Sequence, residues 1–330
     1  MEEIIKTKFN DFVTNKKTKK GDNLTPQTII IYKSQFTSLL KSFKTDKPNF
    51  VNNPERVIQV LKTEFTNENT LKLKINIVLM ILECFFTENA NYIKNIKIYN
   101  DFLTELITNI KTINESHIPS QNQIEKALDQ TENDLIIKTL YMNVKHSIQT
   151  NEDLEHLKQY IIYMFYEFHP IRADIATSKF ILSKDINKMN EKVNNVVIFR
   201  DIKEVYYYQV DYKTKKKYGE NKIKISSDLY KYIVKLYNYY NNKLKIKDKY
   251  LLYQKDNITP FNTNNLSKFY SNIGLQVLNK PISLQINRIQ NSSEDSEAID
   301  RLEEKSKQQN HSMNIHTTTY YKRGLKSKKQ

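Results

Sequence analysis

Cysteine and long apolar runs are nearly missing from this sequence, and each shortage excludes a class of structure. The one cysteine, Cys84, excludes an internal disulfide and a cysteine-rich zinc site. It lies in the apolar stretch VLMILECFF, which predicts an unreactive thiol in a helical core. No run of about 18 apolar residues occurs, so no membrane span is expected. The first residues, MEEIIKTKFN, lack the layout of a signal peptide.

Arginine is also scarce, since it supplies only six of the 52 basic residues. Heavy use of Lys, Asn and Ile is typical of an AT-rich genome. In such a chain, each retained arginine is a candidate for a role that needs its planar, bidentate fork, such as holding phosphate oxygens. The six are Arg56, Arg172, Arg200, Arg288, Arg301 and Arg323.

What the chain has in abundance is positive charge, unevenly distributed. The 330 residues carry a net charge of +15. Residues 201–250 hold 13 basic and 6 acidic side chains, and residues 301–330 hold 8 and 2. Clustering of this kind favours a polyanionic partner, above all nucleic acid. The alternative is a lysine-rich solvated surface that reflects codon usage alone.

The pattern along the chain predicts two domains. Residues 1–24 are polar and lysine-rich and are interpreted as a flexible basic arm. A helix then begins with Thr25 as N-cap and Pro26 in the first turn. Apolar residues at helical spacing extend a helical domain over residues 25–115, and its boundary with a second domain over 116–330 lies within a polar linker, 113–123, that contains Pro119.

The second domain combines helices with a small sheet. Three β-branched or aromatic stretches, VVIFRD, EVYYYQV and NKIKIS, predict three strands, the last two joined by a hairpin with Gly219 at its tip. Helical patterns lie on both sides, and residues 284–323 read as mainly helical. The predicted fold class is therefore mainly α with a small antiparallel sheet (α+β).

A few side chains share one chemistry, the attack of a tyrosine on a phosphodiester. Two guanidinium groups, Arg172 and Arg288, would stabilise the charge of a pentavalent transition state. Lys213, on the hairpin, would protonate the leaving 5′ oxygen. His311 would hydrogen-bond a phosphate oxygen, and Tyr320 would be the covalent nucleophile. The sequence offers no ligand cluster of metal-binding form, and no cofactor is expected.

The order and spacing of these residues resemble the catalytic domain of tyrosine recombinases, the phage-integrase family. The corresponding segments are PIRADI with Arg172, YKTKKKYG with Lys213, QINR with Gln285 and Arg288, NHS with His311, and Tyr320 nine residues later. The helices of the first domain, opening with TPQTIIIYKSQF, resemble the core-binding domain of the same family.

Three departures from the family pattern affect the expected activity. Gln285 stands where the family usually has His, although Gln still donates to a phosphate oxygen. The acidic residue often found three positions after the first arginine is absent, and Asp174, two positions after it, is the nearest residue to orient Arg172. Asn310 replaces a glycine, and Asn accepts a left-handed conformation better than most residues.

Two roles within the pattern have alternative candidate residues. Lys215, Lys216 and Lys217 compete with Lys213 as the general acid. Tyr321 competes with Tyr320 as the nucleophile.

The resemblance implies a site-specific recombinase or integrase of a virus or virophage-like mobile element. It would cut and rejoin double-stranded DNA through a 3′-phosphotyrosine, without metal or ATP. A homotetramer would assemble on DNA inside the cell, in the host nucleus or a viral replication compartment, with no membrane involved. Residues expected to contact the DNA backbone are Lys215, Lys216, Lys217 and Lys222. A type IB topoisomerase, a telomere resolvase and a catalytically degenerate DNA-binding protein remain alternatives.

Overall fold

A computed structural model describes residues 2–18, 20–116, 118–189, 192–212 and 215–293. The chain divides into two compact units, Met1–Pro119 and Ser120–Gln330. Each unit has its own hydrophobic core. None of the described helices is both long and apolar enough to span a membrane.

The first unit is a bundle of five helices around an aliphatic and phenylalanine core. Its helices are α1 (Glu2–Asn15), α2 (Pro26–Ser42), α3 (Pro54–Glu64), α4 (Glu68–Phe85) and α5 (Tyr92–Glu115), with a 3-10 turn at Pro48–Asn52. Thr25 caps α2 as predicted, because its side chain accepts a hydrogen bond from the backbone N–H of Thr28 at 3.2 Å.

The beginning of the chain corrects one prediction. Residues 1–24 were expected to form a flexible basic arm, but α1 occupies most of that stretch. Phe9 and Val13 are fully buried in the core of the unit, and the Phe9 ring stacks on Phe36 with centroids 4.1 Å apart. Of the lysines in this stretch, only Lys6 and Lys8 lie on α1, and the others follow it in the sequence, so the composition of residues 1–24 concealed an amphipathic helix.

Cys84 lies on α4 of this unit, half-buried. Burial raises the pKa of its thiol to about 11, although the nearby Lys8 charge opposes the rise. Because the thiolate is the reactive species, this thiol is almost entirely protonated at neutral pH. The prediction of an unreactive thiol agrees with this environment.

The second unit packs helices around one sheet. Its elements are α6 (Gln121–Lys126), α7 (Gln130–Asn143), α8 (Asn151–Phe168), β1 (Lys179–Leu182), β2 (Asn195–Phe199), β3 (Glu204–Gln209), α9 (Lys215–Tyr218), β4 (Asn221–Lys224), α10 (Ser227–Asn242), α11 (Thr263–Leu278) and α12 (Leu284–Ser293). Single 3-10 turns lie at Ala173–Thr177 and Ser183–Lys188. The largest core side chains are tyrosines on α8, β3, α10 and α11.

The sheet has the order β1-β2-β3-β4 and is mixed. The three predicted strands pair antiparallel, with Val197 opposite Tyr206 and Tyr207 opposite Ile223. The structure adds a fourth strand, β1, parallel to β2, so the expected three-stranded antiparallel sheet is corrected in this detail. β1 has the sequence KFIL, and periodicity alone cannot distinguish such a short apolar run from a buried helical segment. The fold class, mainly α with a small sheet, is confirmed.

Candidate phosphate-binding site

Arg172 lies between α8 and the 3-10 turn Ala173–Thr177. The helix α8 ends at Phe168. Pro170 prevents it from continuing, because proline lacks the backbone N–H that a further helical hydrogen bond would need. The carbonyl of Arg172 accepts a hydrogen bond from the Tyr166 hydroxyl at 3.1 Å, which fixes the backbone of the turn to α8. The Nη1 atom of Arg172 is buried and has no hydrogen-bond partner among the described residues.

Arg288 lies on α12, which packs against the C-terminal part of α8. Its neighbour Asn287 donates to the Tyr166 carbonyl at 3.2 Å and to the Tyr270 hydroxyl at 3.1 Å, which docks α12 on α8 and α11. Gln285, one turn earlier on the same helix, is exposed. Residues three apart on a helix are neighbours on its surface, so Gln285 and Arg288 share a face.

Asp174 carries the carboxyl on which both arginines act electrostatically. Burial raises the pKa of its carboxyl, and the charges of Arg172 and Arg288 both oppose that rise. Gln209, the last residue of β3, also lowers the pKa by donating from Nε2 to the Asp174 carboxylate at 3.2 Å. Two arginines from distant parts of the sequence therefore act electrostatically on one half-buried carboxyl.

The backbone around Asp174 is tied to the ends of two strands. Asn194, just before β2, donates from Nδ2 to the carbonyls of Asp174 at 3.2 Å and Asp211 at 2.9 Å. Its Oδ1 accepts from the backbone N–H groups of Val210 at 2.9 Å and Asp211 at 2.8 Å. The arginine-bearing turn is thereby linked to the point where the chain leaves β3 for the hairpin.

Other buried polar atoms of the same region lack a hydrogen-bond partner among the described residues. They are Nε2 of His169 and the hydroxyls of Ser178 and Tyr207. Burial lowers the pKa of His169, so its imidazole is neutral at pH 7. Burial raises the pKa of the Tyr207 hydroxyl and the charge of Asp174 adds to the rise, while the Ser178 hydroxyl opposes it, although no hydrogen bond of normal geometry joins the two hydroxyls. Orphaned buried polar atoms are uncommon and call for an explanation.

The lysine-rich hairpin is described only in part. Lys215 begins the short helix α9 and forms an ion pair with Glu220 at 3.5 Å. Lys222, on β4, is exposed, with its Nζ 4.2 Å from the centroid of the Tyr206 ring and 5.2 Å from that of Tyr208.

Several predicted site residues lie outside the described residues. They are Lys213, His311 and Tyr320, together with the side chains of Lys216 and Lys217. Among the predicted catalytic residues within the described ranges, Arg172 and Arg288 both act electrostatically on Asp174, and Gln285 lies on the same helix as Arg288.

Sequence reasoning missed Asn194, Gln209 and His169. His169 stands three residues before Arg172, and that proximity was its one signal in the sequence. Asn194 and Gln209 carry no motif, because their role depends on where strands end. Within the described ranges, no group of three or more His, Cys, Asp and Glu side chains is arranged to hold a metal ion.

Comparison with known proteins gives little further guidance. No family model and no curated protein matches the sequence. Among solved structures, a crystal structure of XerA recombinase aligns with 87% of this chain and 82% of that chain, at 12% sequence identity and a TM-score of 0.32. A likeness at this level carries no argument about the activity, so the functional argument depends on the site itself.

Proposed function

We propose that this protein is a tyrosine recombinase that cuts and rejoins DNA through a 3′-phosphotyrosine. The observation that supports it best is that the charges of Arg172 and Arg288 both act on Asp174, while Nη1 of Arg172 has no hydrogen-bond partner among the described residues. Arg172 as a whole is partly exposed and keeps unused donor capacity, and phosphate oxygens have the geometry that the arginine fork prefers.

In the proposed reaction, the Tyr320 oxygen forms a bond to phosphorus while the bond from phosphorus to the 5′ oxygen breaks. The phenol proton leaves to solvent, and the departing oxygen takes a proton from Lys213. The two arginines stabilise the added negative charge on the non-bridging oxygens. Gln285 and His311 donate to the same oxygens. A 5′ hydroxyl then reverses the step, so the phosphodiester energy is conserved and no ATP is consumed.

Positive charge supports DNA as the substrate. The net charge is +15, and Lys215 and Lys222 lie on the hairpin of the second unit. Lysines that neutralise phosphates release counterions, so affinity would fall steeply as salt rises. We propose that Lys216 and Lys217 act with them, that four copies assemble on double-stranded DNA inside the cell, and that the element recombined is viral or mobile.

A trapping experiment tests this function without a known target site. A pool of nicked duplexes of random sequence would be incubated with the protein and EDTA. Cleavage near a nick releases a short strand that diffuses away, so the covalent intermediate accumulates. The expected result is a protein–DNA adduct that survives SDS and is lost in Tyr320→Phe but not in Tyr321→Phe.

The other outcomes are equally informative. Loss in Tyr321→Phe alone would retain the chemistry and move the nucleophile by one residue. Salt-sensitive DNA binding by the wild type with no adduct from any pool member would contradict a recombinase. That result would favour a DNA-binding protein without catalytic activity, for which Gln285 is the supporting feature.

A further inference from the structure

Asn194 is a buried amide whose hydrogen-bonding capacity is fully used. Its side chain makes two donations, to the carbonyls of Asp174 and Asp211, and accepts two bonds, from Val210 and Asp211. The residue is only 2% exposed. Only an amide supplies two donors and an acceptor in this planar arrangement, so Asp, Ser and Ala each leave at least one backbone group unpaired.

Gln209 holds the other part of Asp174. Its Nε2 donates to the carboxylate at 3.2 Å, and the residue is 5% exposed at the end of β3. Together Asn194 and Gln209 bind the main chain and the side chain of Asp174 from neighbouring strands. The sheet is a rigid support, whereas the 3-10 turn by itself is a short element.

The two contacts limit how Asp174 can move relative to Arg172, which is two residues away. Tyr166 fixes the carbonyl of Arg172, Asn194 fixes that of Asp174, and Gln209 fixes the Asp174 carboxylate. Three contacts from α8, from the residue before β2 and from β3 thus determine the turn. A shift in the carboxylate would change the field at both arginines, because both interact with it.

We propose that Asn194 and Gln209 are positioning residues, which act through Asp174 to set the place of the Arg172 guanidinium. The inference rests on the proposed recombinase function, and neither residue is assigned contact with DNA. Misplacement of a catalytic group by a fraction of an ångström is enough to lower a rate while leaving binding intact.

The test compares two substrates that differ in the charge at the cleaved position. A duplex recovered from the trapping experiment would be synthesised with its natural phosphate and with a neutral methylphosphonate there. The methylphosphonate lacks the negative oxygen that arginines neutralise, so a defect in arginine placement matters less on it. Gln209→Met keeps the side chain's size and removes the donor; Asn194→Ala is the stronger change; Arg172→Ala is the reference.

We expect Gln209→Met to form adduct about 10- to 100-fold more slowly than wild type on phosphate, with DNA affinity unchanged. On methylphosphonate its rate should come within about threefold of wild type, as for Arg172→Ala. The matched control is Gln159→Met, since Gln159 is 6% exposed and its Nε2 donates to Gln276 at 2.8 Å. That variant should match wild type on both substrates.

Equal loss on both substrates would overturn the proposal, because a general structural defect does not depend on phosphate charge. So would a Gln209→Met rate equal to that of wild type on phosphate. A third substrate would carry a 5′-thiolate leaving group, which departs without a proton. If the rate of adduct formation by the Gln209 and Asn194 variants recovered on that substrate, the two residues would be assigned to proton donation, and the proposal would also be overturned. A wild type that forms no adduct at all would contradict the proposed function itself, and this inference with it.

Discussion

The two units bury their polar groups in different ways. In the first unit, the buried Tyr99 hydroxyl donates to the Val51 carbonyl at 2.9 Å, and the buried Lys74 ammonium donates to Ser38 at 2.7 Å. Its buried side-chain oxygens without a partner, within the described ranges, belong to Asn52 and Glu68, which lie at the end of a 3-10 turn and the start of α4.

In the second unit, within the described ranges, unpartnered buried side-chain atoms belong to His156, His169, Arg172, Ser178, Tyr207 and Asn257. Asp174 acts electrostatically on two of these residues, Arg172 and Tyr207. Natural proteins depart from full satisfaction of buried polar groups mainly where function requires it. Among the described residues, the first unit thus has two such atoms and the second has six, of which those of Arg172 and Tyr207 belong to residues that interact with one carboxyl.

The strongest test of this contrast removes the arginines. Arg172→Ala and Arg288→Ala should each lower the rate of adduct formation by about 100- to 1,000-fold, since a preorganised donor to a charged transition state contributes about 3–4 kcal/mol. Single-turnover trapping measures the rate. Arg200→Ala is the matched control, because Arg200 donates to Asn238 at 2.8 Å and lies over Tyr237. Equal losses in all three variants would remove the distinction between site and surface arginines.

Close packing behind the site gives the next largest effect. A Cβ on Gly274 would come within 2.5 Å of the Lys280 carbonyl oxygen and 2.6 Å of an Ile282 methyl, in the segment that leads into α12. Gly274→Ala should therefore cost about 1–3 kcal/mol of unfolding free energy and also displace Arg288. An ordinary helix glycine would gain about 1 kcal/mol from the same change.

Urea denaturation checks this prediction, with Gly21→Ala in the first unit as control. Gly21 has φ +86, and no atom lies within 4 Å of a Cβ built there. The Gly21→Ala variant should therefore lose only the free energy of left-handed backbone strain, about 1–2 kcal/mol. If the Gly274→Ala protein were as stable as wild type, the segment that contains Lys280 and Ile282 would have to move away from the added methyl group at little cost.

A matched pair of tyrosines separates satisfied from unsatisfied hydroxyls. Tyr99→Phe should destabilise the protein by about 1 kcal/mol, because the Val51 carbonyl loses its partner inside the core. Tyr207→Phe should be neutral or slightly stabilising, since its buried hydroxyl has no hydrogen-bond partner among the described residues. Both residues are fully buried, so burial does not confound the comparison. Equal costs in urea denaturation would show that the Tyr207 hydroxyl is bound after all.

The smallest expected effect depends on pH and concerns Asp174. Burial raises its folded pKa above the unfolded value, so its protonated form contributes stability that is fully present below the unfolded pKa. That contribution is lost as pH rises through the folded pKa. Asn imitates the protonated form at every pH, so Asp174→Asn should be more stable than wild type near pH 7, with an advantage that disappears in acid.

Urea midpoints of the two proteins at a series of pH values measure that difference. The opposite trend, a variant that becomes less stable than wild type as pH rises, would mean that Arg172 and Arg288 outweigh burial at this carboxyl. The sign of the trend therefore shows whether burial or the arginine charges dominate the pKa of Asp174.

Much of the local structure could be predicted from the sequence. Thr25 and Pro26 begin α2 as expected, and the three strands at VVIFRD, EVYYYQV and NKIKIS lie within a residue or two of their predicted positions. These features follow from side-chain periodicity and capping, which act over a few residues. The amphipathic α1 was missed because the lysines that follow it in the sequence dominate the composition of residues 1–24.

Motif order also nominated the two arginines and Asp174 from sequence alone. It could not show that Arg172 and Arg288 act on the same carboxyl, nor that Asn194 and Gln209 hold it. Those relations depend on where α8 ends, how α12 docks on it, and which residues lie at the strand ends. Periodicity and helix caps depend on residues that are close in the sequence, so the sequence alone determined them. The interaction of charged residues that are distant in the sequence requires long-range packing, so only the tertiary structure decided it.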